Sequence, residues 1–149
     1  MISGVRHTGI VVKNIKDAIN FWVELMGFEI VSEQIESGEF IDHLLGLENV
    51  IVQTVKLAAI DRTLIELLNF KSHSHNEFWE GSPYSKGLTH IALNTSNISE
   101  ITGRLISHGY LPINNVKISP DGKYLVCYVR TFEGLLLELV ETIKPPKVQ

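Results

Sequence analysis

Two stretches decide the fold: His7-Thr8-Gly9-Ile10-Val11-Val12-Lys13-Asn14-Ile15-Lys16-Asp17 and, further along, His90-Ile91-Ala92-Leu93-Asn94-Thr95-Ser96-Asn97-Ile98-Ser99-Glu100. Laid His on His, they run in step: an apolar stretch, then Asn-Ile-x-acid. Ordered self-similarity of this kind points to a duplicated unit. An Asn at an N-cap accepts a bond from a free backbone N–H, and an acid three residues on reaches back to the cap and favours the positive end of the helix dipole. Each tetrad therefore predicts the start of a helix. In the first helix Ala18, Phe21, Trp22, Leu25 and Met26 share a stripe, and in the second Ile98, Ile101, Leu105 and Ile106 do. Gly27-Phe28 and Gly109-Tyr110 then predict matching C-caps that lead into strands.

The copies also close alike, on Leu64-Ile65-Glu66-Leu67-Leu68 and Leu136-Leu137-Glu138-Leu139-Val140. The first copy is longer by about the length of residues 38–48, which read as a short extra helix. Each module is thus strand, helix and three strands: about 4–13, 15–26, 28–35, 50–58 and 63–69, then 88–96, 98–108, 110–116, 122–130 and 134–141. The class is α+β, two tandem βαβββ modules with helices on one side of a mostly antiparallel sheet. The expected organisation is one domain over 1–149: module 1 at about 4–70, a turn-rich linker at about 71–87, module 2 at about 88–141, and an exposed tail at 142–149 holding Pro145-Pro146.

Composition limits the function. The 149 residues are 44% hydrophobic and 20% charged, with a formal net charge of -4. That is a globular composition, and the negative balance argues against general affinity for nucleic acid or an anionic membrane. Small-molecule chemistry becomes the expectation. No apolar run approaches the roughly 20 residues of a membrane span, and Met1-Ile2-Ser3-Gly4-Val5-Arg6 lacks a signal-peptide layout, so the expected location is cytoplasmic. The single cysteine, Cys127, lies in an apolar strand and reads as buried packing.

The chemistry rests on His7, Glu66, His90 and Glu138. A carboxylate set in an apolar strand must face solvent, find a cation or bind a metal. Strand alternation places Val5, His7 and Gly9 on one face and Leu64, Glu66 and Leu68 on one face, with the same parity around His90 and Glu138. A pseudo-twofold axis relating the copies would bring two imidazoles and two carboxylates around one divalent ion. This nitrogen and oxygen set suits Zn, Ni, Co or Mn, and Fe(II) less well, since Glu66 as a fourth ligand leaves little room for dioxygen. Two open positions on such an ion fit two vicinal oxygens of a substrate and stabilise the charge made when a proton leaves the carbon beside a carbonyl.

At these residues the chain resembles the vicinal oxygen chelate superfamily, which includes glyoxalase I, methylmalonyl-CoA epimerase, extradiol dioxygenases, and the bleomycin and fosfomycin resistance proteins. The carriers are His7 to Ile15, Leu64 to Leu68, Gly87-Leu88-Thr89-His90-Ile91-Ala92-Leu93 and Phe132 to Val140. The resemblance implies a barrel-like mixed sheet with a metal-binding cleft, metal ligands at His7, Glu66, His90 and Glu138, and Glu138 or Glu66 as the catalytic base. It further implies a lyase or isomerase of the glyoxalase I (lactoylglutathione lyase) or acyl-CoA epimerase type, a small-molecule substrate and a homodimer. The alternatives are an Fe(II) extradiol dioxygenase or an antibiotic-binding resistance protein. One departure is Thr131-Phe132-Glu133-Gly134, where the family often has Asp-Pro-Asp-Gly.

Other residues carry less. His73 and His75 form His-x-His in the linker and read as part of a solvated loop, whereas His43 in the extra helix and His108 at the end of the second helix read as structural. Gln53, Trp22 and Tyr128 are candidates to line the cleft, with core packing an equal reading for the two aromatics. Arg6, Lys56, Arg62, Lys123 and Arg130 are candidates to meet an anionic part of the substrate.

Overall fold

The structure is a computed structural model describing residues 1–74 and 82–143. His75, the middle of the expected linker and most of the expected tail lie outside the described residues. The chain divides into two compact units, Met1–Glu77 and Phe78–Gln149.

The first unit runs β1 (Thr8–Val11), α1 (Ile15–Asn20), β2 (Glu29–Ser37), α2 (Glu39–Leu45), β3 (Ile51–Ala58) and β4 (Leu64–Phe70). Its open sheet has the order β1-β4-β3-β2, with β1 parallel to β4 and the other pairs antiparallel. The second unit repeats the plan with β5 (Ile91–Thr95), α3 (Ile98–Ser107), β6 (Lys117–Ile118), β7 (Tyr124–Arg130) and β8 (Leu136–Thr142), in the order β5-β8-β7-β6. The α+β class and the tandem βαβββ plan are therefore as the repeat predicts, and the insertion does fold as helix α2.

The caps form where the tetrads place them. Asn14 Oδ1 accepts from the backbone N–H groups of Lys16 (3.2 Å) and Asp17 (3.3 Å), and Asn97 Oδ1 from that of Glu100 (3.1 Å). The acids return the bond differently from the expectation. Asp17 and Glu100 accept from the cap's side-chain amide, at 2.6 and 3.3 Å. Past the helices, Gly27 and Gly109 take φ of +76° and +85°, a left-handed turn that costs glycine least.

Some elements differ from the sequence reading. The first helix leaves α geometry after Asn20 for a π-helical turn, Phe21–Leu25, closed by Met26 N–H to Phe21 O at 3.1 Å. Trp22 is fully buried there, edge-on to Phe21 and Phe28 at centroid distances of 5.5 and 4.9 Å, so it belongs to the core and not to a cleft. On α3, Ile106 is exposed and Thr102 is buried in its stead, its hydroxyl donating to Ile98 O at 2.6 Å. The strand expected at 110–116 does not form, and the short β6 follows it at Lys117–Ile118. Pro112 lacks an N–H for a ladder and makes one isolated bridge, to Val129.

Alternation sorts the first sheet into two faces. Val55, Leu57, Ile65 and Leu67 are buried on one, as are the α1 residues Ile15 and Ala18. Glu66, Leu68 and Phe70 point to the other. There Ile41 of α2 joins Val50, Val52, Leu68 and Phe70 in a cluster, so the extra helix covers one end of the face that carries Glu66. Among the described residues no helix is long and apolar enough to cross a membrane.

Candidate metal centre

Each unit presents one His–Glu pair at the same place in its ladder. Glu66 is the parallel register partner of Gly9 and Glu138 that of Ala92, with His7 and His90 each two residues upstream. The histidines stand just before β1 and β5, not within the strands as the sequence reading had them, because pairing starts only at Thr8 and Ile91. The alternation still holds. His7 Nε2 lies 3.0 Å from Glu66 Oε2, and His90 Nε2 lies 3.2 Å from Glu138 Oε2.

The glutamates are largely withdrawn from water, keeping 14% and 22% of their side-chain surface exposed, while the histidines keep 30% and 33%. A carboxylate so placed needs a partner. Glu66 has a second one, for Lys56 Nζ sits 3.3 Å from Oε1. Lys56 is the antiparallel register partner of Glu66, and Tyr128 is that of Glu138. The Tyr128 hydroxyl is 3.4 Å from His90 Nε2, and the two rings meet edge-on at 5.2 Å. Burial first, then the Glu138 charge and a hydrogen bond to Glu138, push the phenol of Tyr128 above its ordinary pKa.

The donor set of each pair suits a divalent ion. Two ligands each about 2.1 Å from one ion and at right angles to it lie about 3 Å apart, which is the spacing of both pairs. Thr89 Oγ1 is 2.9 Å from His90 Nδ1, an outer contact that fixes the ring and turns Nε2 to Glu138. His7 Nδ1 is buried and has no partner among the described residues, so its ring interacts through Nε2. Neither unit by itself gathers three or more His, Cys, Asp or Glu side chains among the described residues. Each pair is a half-site of one nitrogen and one oxygen.

The remaining candidates fall elsewhere. Gln53 has the opposite parity to Lys56 on β3 and donates to Glu33 Oε1 at 2.6 Å, so it faces away from Glu66. His108 caps α3, its Nδ1 2.9 Å from Arg104 O, as a structural histidine should. His43 is exposed on α2. His73 Nδ1 is 2.7 Å from Ser72 Oγ, and its ring lies against Phe70. Arg130 Nη1 donates to Gly134 O at 3.0 Å and braces the turn before β8. Lys123 pairs loosely with Asp121, and Arg62 turns the β3–β4 corner at φ +69°. The Thr131–Gly134 segment makes the tight turn despite its departure from the family pattern, with Glu133 at φ +51°. Sequence reasoning placed Lys56 and Tyr128 only as members of longer lists. Their spacing from the glutamates, once the strands are paired, is the signal that singles them out.

The family described as the Glyoxalase/Bleomycin resistance protein/Dioxygenase superfamily matches residues 6–128, taking in His7, Glu66 and His90 and stopping before Glu138. No curated protein sequence gives a significant match. Among solved structures, the chain is similar to a glyoxalase family protein from Bacillus cereus, with 25% identity, 97% of each chain covered and a TM-score of 0.88. It is similar in fold to a glyoxalase family protein from Enterococcus faecalis (23% identity, 93% of this chain and 98% of that one, TM-score 0.64). It is likewise similar to the fosfomycin resistance protein FosX from Listeria monocytogenes (18% identity, 96% of both chains, TM-score 0.66). A FosX variant has been crystallised with Mn(II) and 1S,2S-dihydroxypropylphosphonic acid. With its two like sheets, its repeated His–Glu register and a family match over most of its length, the chain belongs to the glyoxalase, bleomycin resistance protein and dioxygenase superfamily.

Proposed function

We propose that this protein is a metal-dependent lyase or isomerase of the glyoxalase I type, in which His7, Glu66, His90 and Glu138 together hold one divalent ion. The observation that carries the reading is the duplicated half-site: the same imidazole and carboxylate, at the same register, 3.0 and 3.2 Å apart. Zn, Ni, Co and Mn suit these donors, and Fe(II) with ring cleavage suits them less because Glu66 supplies a fourth ligand. When bound, the ion supplies Lewis-acid stabilisation of the negative charge that develops on a chelated carbonyl oxygen. The protein supplies the base. A carboxylate within hydrogen-bond reach takes the proton from the neighbouring carbon and returns it. Glu138 is the better placed of the two, because the second partner of Glu66 is the charged Lys56 and that of Glu138 is the neutral phenol of Tyr128. Tyr128, protonated at neutral pH, can donate a hydrogen bond beside Glu138. A cytoplasmic homodimer acting on a small molecule is the setting that fits this reading.

Elemental analysis of wild type beside His7→Ala, Glu66→Ala, His90→Ala and Glu138→Ala tests it. The expected result is about one metal per chain in wild type and a loss in all four variants, with Glu138→Gln abolishing turnover of methylglyoxal plus glutathione or of an acyl-CoA epimer. A wild type that takes up no Ni, Co, Mn or Zn overturns the enzyme reading and leaves a sequestering pocket.

A further inference from the structure

The face that carries Glu66 turns apolar one rung beyond it. Gly9 is the register partner of Glu66, and the next rung on that face pairs Val11 with Leu68. The tip of Leu68 leans back toward the carboxylate's rung, since a Cβ on Gly9 would stand 3.3 Å from Leu68 Cδ1. Leu68 lies opposite Thr54 and Phe70 opposite Val52, where Ile41 of α2 closes the strip in a buried cluster. The margin on β2 is polar: Gln34 and Glu36, bonded to each other, are the register partners of Thr54 and Val52. The strip itself is half-open, for Val11 keeps 56% of its surface exposed and Leu68 and Phe70 are half-buried.

The second unit breaks the strip. Counted from the histidines, Asn94 stands where Val11 does. Counted from the glutamates, Thr142 stands where Phe70 does, and it lies opposite Tyr124 in place of Val52. Nothing among its described residues corresponds to α2. A small-molecule site offers a mostly apolar lining beside a few polar groups that fix orientation, and the first unit alone sets such a lining next to its His–Glu pair. We propose that Val11, Leu68 and Phe70 are specificity-determining residues, a subsite for an apolar alkyl or aryl arm of the substrate whose polar, reacting end meets the His7–Glu66 pair. From Glu66 to Phe70 is about 13 Å of strand, room for an arm of several methylenes. The inference takes its location from the metal-centre reading and deepens it to a substrate class, and it uses the first unit's pair only.

The test uses straight-chain hydroxamic acids, from acetohydroxamic to octanohydroxamic acid, chelators that differ only in the apolar arm. Calorimetry gives Kd for each length, on Mn(II)-loaded full-length protein and in parallel on the metal-free protein. In wild type each added methylene is expected to tighten binding about threefold until the arm outruns the strip, the scale of a largely buried CH2. Val11→Ser and Leu68→Ser flatten that dependence, while Ile118→Ser, a change at an exposed apolar residue of the second unit, leaves it as in wild type. Val11 is exposed enough for its variant to keep the fold should Leu68→Ser lose it. A wild type whose affinity ignores chain length overturns the proposal, and so does a dependence that Val11→Ser leaves intact. Wild type that takes up no Mn(II) overturns the metal-centre reading instead, and the chain-length dependence of the metal-free protein, present or absent, then decides this inference by itself.

Discussion

Tyr128 occupies in the second sheet the place that Lys56 occupies in the first, each lying directly across the antiparallel ladder from a glutamate. The carboxylates are alike and their neighbours are not. Beside Glu138 the neighbour is a phenol whose ionisation is opposed by burial and by the Glu138 charge. Tyr128 is therefore expected to form phenolate above the ordinary pKa of about 10. Because the folded-state pKa is raised, the associated stability is fully present below the unfolded value and is lost as pH rises through the folded one. An absorbance titration shows this as a late phenolate step that Tyr128→Phe removes and Glu138→Gln shifts down. Superimposable alkaline curves for wild type and Tyr128→Phe would refute it.

Cys127 is buried in β7, and that burial raises its thiol above the usual range. A thiol reacts as its thiolate, so both protonation and access protect this one. Native protein at pH 8 is expected to leave Cys127 unmodified by a disulfide reagent for as long as the fold lasts, with one thiol appearing per chain in urea. The labelling rate should follow the unfolding rate. Prompt stoichiometric reaction of the native protein would contradict this.

The two Asn caps offer a comparison between copies. Asn14 satisfies two backbone N–H groups and Asn97 one, and each also holds an acid. Replacing a cap of this kind by Ala costs about 1 kcal/mol. Both Asn14→Ala and Asn97→Ala are expected to shift the urea midpoint down by about that much, with Asn14→Ala the larger. If either variant is as stable as wild type, the tetrads are not acting as caps.

Those tetrads show what was legible in the sequence. The repeat could be read because capping is local: an Asn and an acid three residues later act on the same helical turn wherever the turn goes. The carboxylates could be read because a charge in an apolar strand is conspicuous. Lys56 and Tyr128 could not be ranked, since each meets its glutamate only across a strand pair whose register depends on turns and bulges, such as the shift between Ile30 and Ser32. The π turn at Phe21–Leu25 was hidden too. Its apolar residues satisfy a 3.6-residue stripe about as well as the wider turn that packs Trp22 between Phe21 and Phe28. The strand expected at 110–116 failed on Pro112, a residue whose missing donor matters only once a partner strand is known.

Asn69 is a buried polar residue that joins the site-bearing sheet to its helix. Its Nδ2 donates to Val12 O at 2.8 Å and Lys13 O at 3.0 Å, where β1 gives way to the cap of α1, and its Oδ1 accepts from Lys71. Asn69→Leu keeps the volume and removes the donor to two carbonyls, an expected loss of roughly 2–6 kcal/mol at about 1–3 kcal/mol for each unsatisfied group. Asn69→Asp is the sharper test. One of its oxygens can stay with Lys71, but the other then faces the two carbonyls in place of a donor, so the folded state favours the protonated acid. The Asp pKa is thereby raised on folding, and its stabilising form exists below the unfolded value of about 3.9 and fades as pH climbs through the folded one. Relative to Asn69→Leu, the Asp variant should be the weaker at neutral pH and should regain ground on acidification. A gap between the two that does not change with pH would mean that the Asn69 amide does not hold those carbonyls.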